Sequence, residues 1–272
     1  MHHSFPLTGI QQARLDRFKC AASVDVHCHI LPETDDGPAS REDCIALARA
    51  LVRDGITHVI ATPHQLGRYE GMNRAADVRA RVIETSRALE ALKIPLELLS
   101  GGEVRIDPAI PKHLEQDAIL TLADGRKHLL LELPSQVPMG AEAIMQHLSQ
   151  THLKIVLAHA ERYEMHRKDP ASVQAWIDAG AILQVNAGSL SGANGEKMQK
   201  MVFDWIGRGW VSVISSDAHS TGTRRPRMTD AINTLCAMFD ESVARTICIE
   251  NPHRILNGED LPPLQPAEPK PT

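Results

Sequence analysis

The chain has 272 residues, a formal net charge of −5, 43% hydrophobic and 23% charged residues, and 3% aromatics. Such a composition supports an ordinary globular protein with an aliphatic core, and its acidic balance argues against a surface that holds nucleic acid or an anionic membrane by overall charge. Five cysteines without close pairing do not suggest a secreted disulfide framework, and no apolar run reaches the roughly 18 residues of a membrane span, so the sequence reads as cytoplasmic.

Residues 1–22 read as a polar leader without the basic head and apolar core of a signal peptide, and His2 and His3 within it read as surface residues. From residue 23 onward, short apolar segments rich in β-branched residues alternate with helix-like stretches. SVDVHCHIL is the first strand-like segment, followed by THVIATPH, LELLSGGEV, HLLLELP, KIVLAHAE, ILQVNAG and WVSVISSDAH. Between them lie REDCIALARALVRDG, MNRAADVRARVIETSRALEALK, GAEAIMQHLSQTH, PASVQAWIDAG and EKMQKMVFDWIGRG, several of which close on glycine as helices commonly do. Ser40, with Glu42 and Asp43 behind it, predicts a helix start that runs to about Gly55. The remainder, 258–272, is proline-rich and reads as a disordered tail.

Repeated βα units predict an α/β fold with a parallel sheet, either open or closed. The polar residues favour closure. In six of the seven strand-like segments, residue types that bind metals fall at the C-terminal end: His27 with His29, His64, Glu103, Glu132, His159, and Asp217 with His219. A barrel gathers all its strand ends around one axis, whereas an open sheet concentrates its site at one switch point. One domain, a (β/α)7 barrel over residues 23–257, is therefore expected.

Histidine and carboxylate are ligands for manganese, iron, zinc or cobalt, and several of them converging is what a multinuclear site needs. In VDVHCHI the two histidines flank Cys28, so on a strand His27 and His29 share a face while Cys28 points away. A lone buried histidine is more often a hydrogen-bonded core residue. The repeated coincidence at strand ends reverses that reading.

The strings HCH, TPH, GGEV, AHAERY and SSDAH, in that order, resemble the PHP (polymerase and histidinol phosphatase) metallohydrolases across residues 23–257. More narrowly, VDVHCHILPETDDGPASRE, IATPH, LLELP, AHAERY and ENPHRIL resemble the metal-dependent bacterial tyrosine phosphatases of capsule and exopolysaccharide systems, the CpsB/YwqE type. This resemblance implies a distorted seven-stranded barrel, in agreement with the segment count, and three divalent metal ions with manganese foremost. It implies that His27, His29, Glu103 and Asp217 hold one ion and that Glu103 bridges to a second, bound also by Glu132 and His159. Asp36, His64 and His219 would hold the third. The residues alone leave Asp35 and Asp36 evenly balanced, with Glu33 a weak substitute; the resemblance selects Asp36. It also implies that Arg162 and Arg224 contact phosphate, with Arg225 and Arg227 close enough to compete with Arg224.

The activity so implied is hydrolysis of phosphotyrosine by a metal-activated hydroxide, and the partner a phosphotyrosine protein, a tyrosine autokinase of polysaccharide export. Related sequences often place a histidine where this chain has Gln65, which puts substrate handling there in question. Asn186 reads equally as a substrate contact or a polar strand end. Histidinol phosphate or another small phosphomonoester is the competing substrate, and a non-catalytic metal-binding regulatory module the competing class. CIENPHR, from Cys248 to Arg254, matches the bare spacing of cysteine-dependent phosphatases. It lacks their glycine-rich cradle, and Pro252 removes one of the N–H groups such a cradle requires.

Overall fold

The computed structural model describes residues 23–134 and 141–270; the expected leader lies outside the described residues. Where the sequence suggests seven strands, the described residues form nine: β1 (Val24–Cys28), β2 (His58–Ala61), β3 (His64–Gln65), β4 (Glu97–Ser100), β5 (Glu103–Arg105), β6 (His128–Glu132), β7 (Lys154–Leu157), β8 (Ile182–Asn186) and β9 (Val211–Ser215). Two of the apolar segments each break in the middle. Pro63, without an N–H, interrupts the ladder between β2 and β3. Gly101 and Gly102 separate β4 from β5 at a point of close approach. A Cβ on Gly101 would sit 2.6 Å from Ile60 Cγ2, and one on Gly102 would overlap the Gln65 amide.

These breaks carry the chain from one sheet to another. β1, β2 and β4 make a three-stranded sheet in the order β1-β2-β4, and the rest a six-stranded sheet in the order β3-β5-β6-β7-β8-β9. All pairings are parallel. The expected single barrel of seven strands is thus corrected to two sheets without a closed ladder. Opposite the breaks they meet through a bridge between Cys28 and Ala218. There the His29 N–H donates to Ala218 O and the Asp217 N–H to His27 O, both at 2.9 Å. That seam brings the HCH and DAH strings side by side.

The longer helices are α1 (Arg41–Arg53), α2 (Ala75–Ala91), α3 (Ala141–Ser149), α4 (Pro170–Asp178), α5 (Glu196–Gly207) and α6 (Met228–Met238). α1 starts where the sequence predicts, with the Ser40 hydroxyl accepting from the Asp43 N–H at 3.1 Å, a cap worth about 1 kcal/mol. α6 was not evident in the sequence because its cap is remote. The Met228 and Thr229 N–H groups donate to the Asp54 carboxylate at 2.6 and 3.2 Å. Aliphatic side chains fill the core, joined by fully buried Trp176, Trp205 and Phe239.

Residues 259–270 have no regular secondary structure. They lie against the body. The Ala267 N–H donates to Gly207 O at 2.9 Å, Lys270 Nζ to Cys236 O at 2.8 Å, and Lys127 pairs with Asp260 at 3.2 Å. Among the described residues no helix is long and apolar enough to cross a membrane.

Candidate active site

The parallel strands deliver their ends to one region, and the nine predicted ligands meet there. Four overlapping groups have donor atoms within 4.8 Å of one another: His29, Asp36, His64 and His219; His27, His29 and Asp217; His27, Glu103 and His159; and His64, Glu103 and Glu132. His27 lies on β1 and Glu132 ends β6, whereas His64 and Glu103, expected at strand ends, instead open the short strands β3 and β5. His159 and Asp217 sit just beyond β7 and β9 with left-handed backbone, φ 33° and 50°. Non-glycine residues in that region are uncommon, and strain of this kind gathers at functional sites.

The hydrogen bonds fix which ring nitrogens face the centre. Gln184 Oε1 accepts from the His159 N–H at 2.8 Å and lies 3.0 Å from His27 Nδ1, so Nδ1 carries the proton and Nε2 offers a lone pair. Asp35 does the same for His29, its Oδ2 accepting from Nδ1 at 2.6 Å. His27 Nε2 and His29 Nε2 then face each other at 3.3 Å. Two lone pairs at that separation repel unless a cation or proton stands between them. Glu103 Oε2 lies 3.4 Å from the first and 3.2 Å from the second and has no hydrogen-bond partner. His219 donates through Nδ1 to Asp217 O at 3.0 Å, leaving Nε2 3.3 Å from Asp36 Oδ1, also without a hydrogen bond. Buried polar atoms are rarely left so. This donor set, hard carboxylates mixed with imidazoles, fits divalent metal ions.

Electrostatics points the same way. Burial opposes a charge on His27, yet Glu103 and Asp217 outweigh it and raise its pKa. For His29, burial is likewise outweighed, chiefly by Asp35. The centre therefore draws positive charge to these nitrogens. Glu132 is pushed up by burial and by the Glu103 carboxylate, a like-charge repulsion that a cation between them would relieve.

Asp35 and Asp36 divide cleanly. Asp36 Oδ1 reaches His64 Nε2 at 3.4 Å and His219 Nε2 at 3.3 Å. Asp35 stands behind His29, and its pKa falls to about 2 because His29 and the Gly37 and His64 N–H groups outweigh its burial. Glu33 is exposed and belongs to none of the clusters. Arg162 and Arg224 stand over the centre. Arg162 Nη1 donates to Asp217 Oδ2 and Arg224 Nη2 to Asp217 Oδ1, both at 3.1 Å, and Arg224 Nη1 reaches Asp36 at 2.9 Å. With Arg105, Tyr163 and Arg68 they line an open cleft of about 700 Å³ whose floor is Glu103, Glu132, His64 and His159.

Several members were not singled out in the sequence. Arg105 pairs with Glu132 at 3.0 Å; it stands two residues after Glu103 on β5, so strand alternation places it on the same face. Gln184 has the same relation to Asn186, whose amide donates to Asp217 Oδ2 at 2.7 Å. Asn186 therefore supports an acidic group of the centre. Gln65 is buried and turned away from the cleft: its Nε2 donates to Asn73 O at 2.6 Å and its Oε1 accepts from the Leu120 N–H at 2.8 Å.

Fold and donor set together define an α/β protein with a candidate metal centre where its parallel strands end. The chain belongs to the capsular polysaccharide synthesis family CpsB/CapC, which matches residues 23–257. It is 33% identical over 249 residues to the tyrosine-protein phosphatase YwqE of Bacillus subtilis (strain 168), covering 90% of this chain and 96% of that one. To the tyrosine-protein phosphatase CpsB of Streptococcus pneumoniae it is 27% identical over 245 residues, 86% of this chain and 98% of that one. Among solved structures, one from the work on YwqE and CpsB, described as unique metal-dependent tyrosine phosphatases, superposes with a TM-score of 0.85 at 32% identity. That match covers 92% of this chain and all of the other. An organophosphorus hydrolase from Deinococcus radiodurans shares the fold at 14% identity and a TM-score of 0.57.

Proposed function

We propose that this protein is a metal-dependent protein tyrosine phosphatase of a capsule or exopolysaccharide system, with residues 23–257 as its catalytic domain. The observation that carries the reading is the facing of His27 Nε2 and His29 Nε2 at 3.3 Å beside the unpartnered Glu103 Oε2. His27, His29, Glu103 and Asp217 hold one divalent ion, Glu103, Glu132 and His159 a second, and Asp36, His64 and His219 a third. Manganese is the proposed metal; iron, zinc and cobalt suit the same donors.

Bound ions of this kind polarise phosphate oxygens and provide a hydroxide nucleophile near neutral pH. The chain's own residues do the positioning. Arg162 and Arg224, half-exposed above buried ligands, offer planar guanidinium donors to the outward oxygens of a phosphate monoester. On this reading a tyrosyl stem carries its phosphate past the arginines to the ligands. Its phenolate leaving group, with a pKa near 10, departs without strong acid assistance. The partner is a phosphotyrosine protein, a tyrosine autokinase, met in the cytoplasm.

Metal-stripped protein should be assayed on a phosphotyrosine peptide with and without manganese, beside a phosphoserine peptide and histidinol phosphate. Manganese-restored cleavage selective for phosphotyrosine is expected. Preference for histidinol phosphate, or cleavage undiminished after stripping, would overturn the reading.

A further inference from the structure

Beside the cleft lies a second cavity of about 440 Å³, and its walls carry an unusual charge. Among the described residues Arg162, Arg167, Arg224, Arg225 and Arg227 all line it, against the single carboxylate of Asp217. Arg162, Arg224 and Asp217 are shared in space with the candidate centre, since both arginines hold Asp217 and line the catalytic cleft as well. The two cavities are therefore contiguous.

An arginine serving only the fold looks different in this molecule. Arg79 is clasped by Asp117 and Asp124 through four hydrogen bonds of 2.6 to 2.9 Å. Arg225 and Arg227 instead share one carboxylate, Asp230, each at 3.9 Å, which is beyond hydrogen-bond reach. Burial and the neighbouring Arg225 charge both act against the proton on Arg227 and lower its pKa. Five arginines around a pocket, with Asp217 held by Arg162 and Arg224 and with Asp230 at 3.9 Å from Arg225 and Arg227, are stabilised by an anion from outside.

Resting on the phosphatase reading above, we propose that this pocket is a substrate subsite for a second anionic group. It takes a phosphate or carboxylate carried on the same polypeptide near the phosphotyrosine in the cleft. Arg225 and Arg227, with Arg167, are the specificity residues, while Arg162 and Arg224 face both anions. The enzyme thereby favours phosphotyrosine in an acidic or multiply phosphorylated stretch over an isolated one.

The test measures Kd on manganese-loaded protein for labelled peptides bearing a non-hydrolysable phosphonate analogue of phosphotyrosine. The neighbouring position, varied over one to four residues, carries a second phosphonate, a glutamate or a glutamine. At one spacing the second anion should tighten binding about tenfold over glutamine, the scale of one or two charge-assisted hydrogen bonds. The phosphonate and glutamate arms tell a second phosphate from an acidic side chain. Arg225→Gln/Arg227→Gln should erase the preference, as should Arg167→Gln/Arg225→Gln, a pair that leaves the partly buried Arg227 in place. Both variants should hydrolyse a simple aryl phosphate at the wild-type rate. Equal wild-type affinity for all three peptides, or a preference that survives both variants, would refute the subsite. Because the readout is binding, wild-type failure on the aryl phosphate would count against the phosphatase reading alone.

Discussion

Near the strand ends, candidate ligands far apart in sequence converge in overlapping groups whose donor atoms lie within 4.8 Å of one another. Cys248–Arg254, by contrast, is contiguous and has the spacing of a cysteine phosphatase, yet its cysteine is buried and its arginine faces a carboxylate of the chain itself. Cys248 is fully buried within the π-helical turn Thr246–Glu250. Burial, with nearby Cys236, pushes its thiol above the ordinary range, so no thiolate nucleophile forms near neutral pH. Pro252 and Arg254 belong to the helix Asn251–Leu256, and Arg254 points outward to within 3.5 Å of Glu259. A one-dimensional pattern thus marks chemistry only when the fold frees the backbone donors or lone pairs that the chemistry uses.

The largest effect that would break this contrast belongs to Glu103, which approaches His27, His29, His64 and His159. Glu103→Gln keeps the shape but removes the charge and one acceptor. Aryl phosphate hydrolysis should fall roughly a thousandfold, the scale of the several kcal/mol a catalytic metal contributes, while circular dichroism stays unchanged. Near-wild-type turnover with the metal content lost would sink the metal-centred account. Arg162→Lys tests the rim next. Lysine keeps the charge but loses the planar two-point grip, and a fall of about a hundredfold in kcat/KM is expected, the lower end for removing one preorganised donor. An unchanged value would show that Arg162 serves Asp217 alone.

Asp35 sharpens the comparison from behind the ligands. Its carboxylate holds His29 Nδ1 and the His64 and Gly37 N–H groups. Asp35→Asn should weaken metal affinity by about 10- to 100-fold, as loss of a group that orients a metal-bound histidine does. Titration of stripped protein followed by calorimetry reads it directly. Equal affinity in the variant would mean that packing alone orients His29.

Much of this was legible because strand alternation is local. HCH placed two imidazoles on one face, and the recurrence of His, Asp and Glu after β-branched runs foretold one shared site. The seven-strand count failed for an equally physical reason: Pro63 and the Gly101–Gly102 pair break ladders that hydropathy reads as continuous. Helix α6 was hidden because Asp54, its cap, stands 174 residues earlier in the chain. Asp35 and Asp36 could not be separated by residue type, since their roles depend on which histidine each carboxylate faces. Gln184 was invisible for the same reason: nothing in ILQVNAG tells that its amide will set the tautomer of His27.

The smallest effect is the one expected of Cys248, and it bears most directly on the contrast. Cys248→Ser replaces a fully buried thiol by a hydroxyl in an apolar setting, where a hydroxyl without a partner loses about 1–3 kcal/mol. Urea unfolding should register that loss as a lower midpoint. Hydrolysis of phosphotyrosine peptide below the transition should not change, because no part of the proposed chemistry passes through the sulfur. The two readouts separate the hypotheses: a cysteine nucleophile predicts activity lost at any stability, whereas the strand-end centre predicts stability lost at constant kcat/KM. Abolished turnover in a folded, metal-loaded Cys248→Ser protein would move the chemistry from the strand ends to the C-terminal helix.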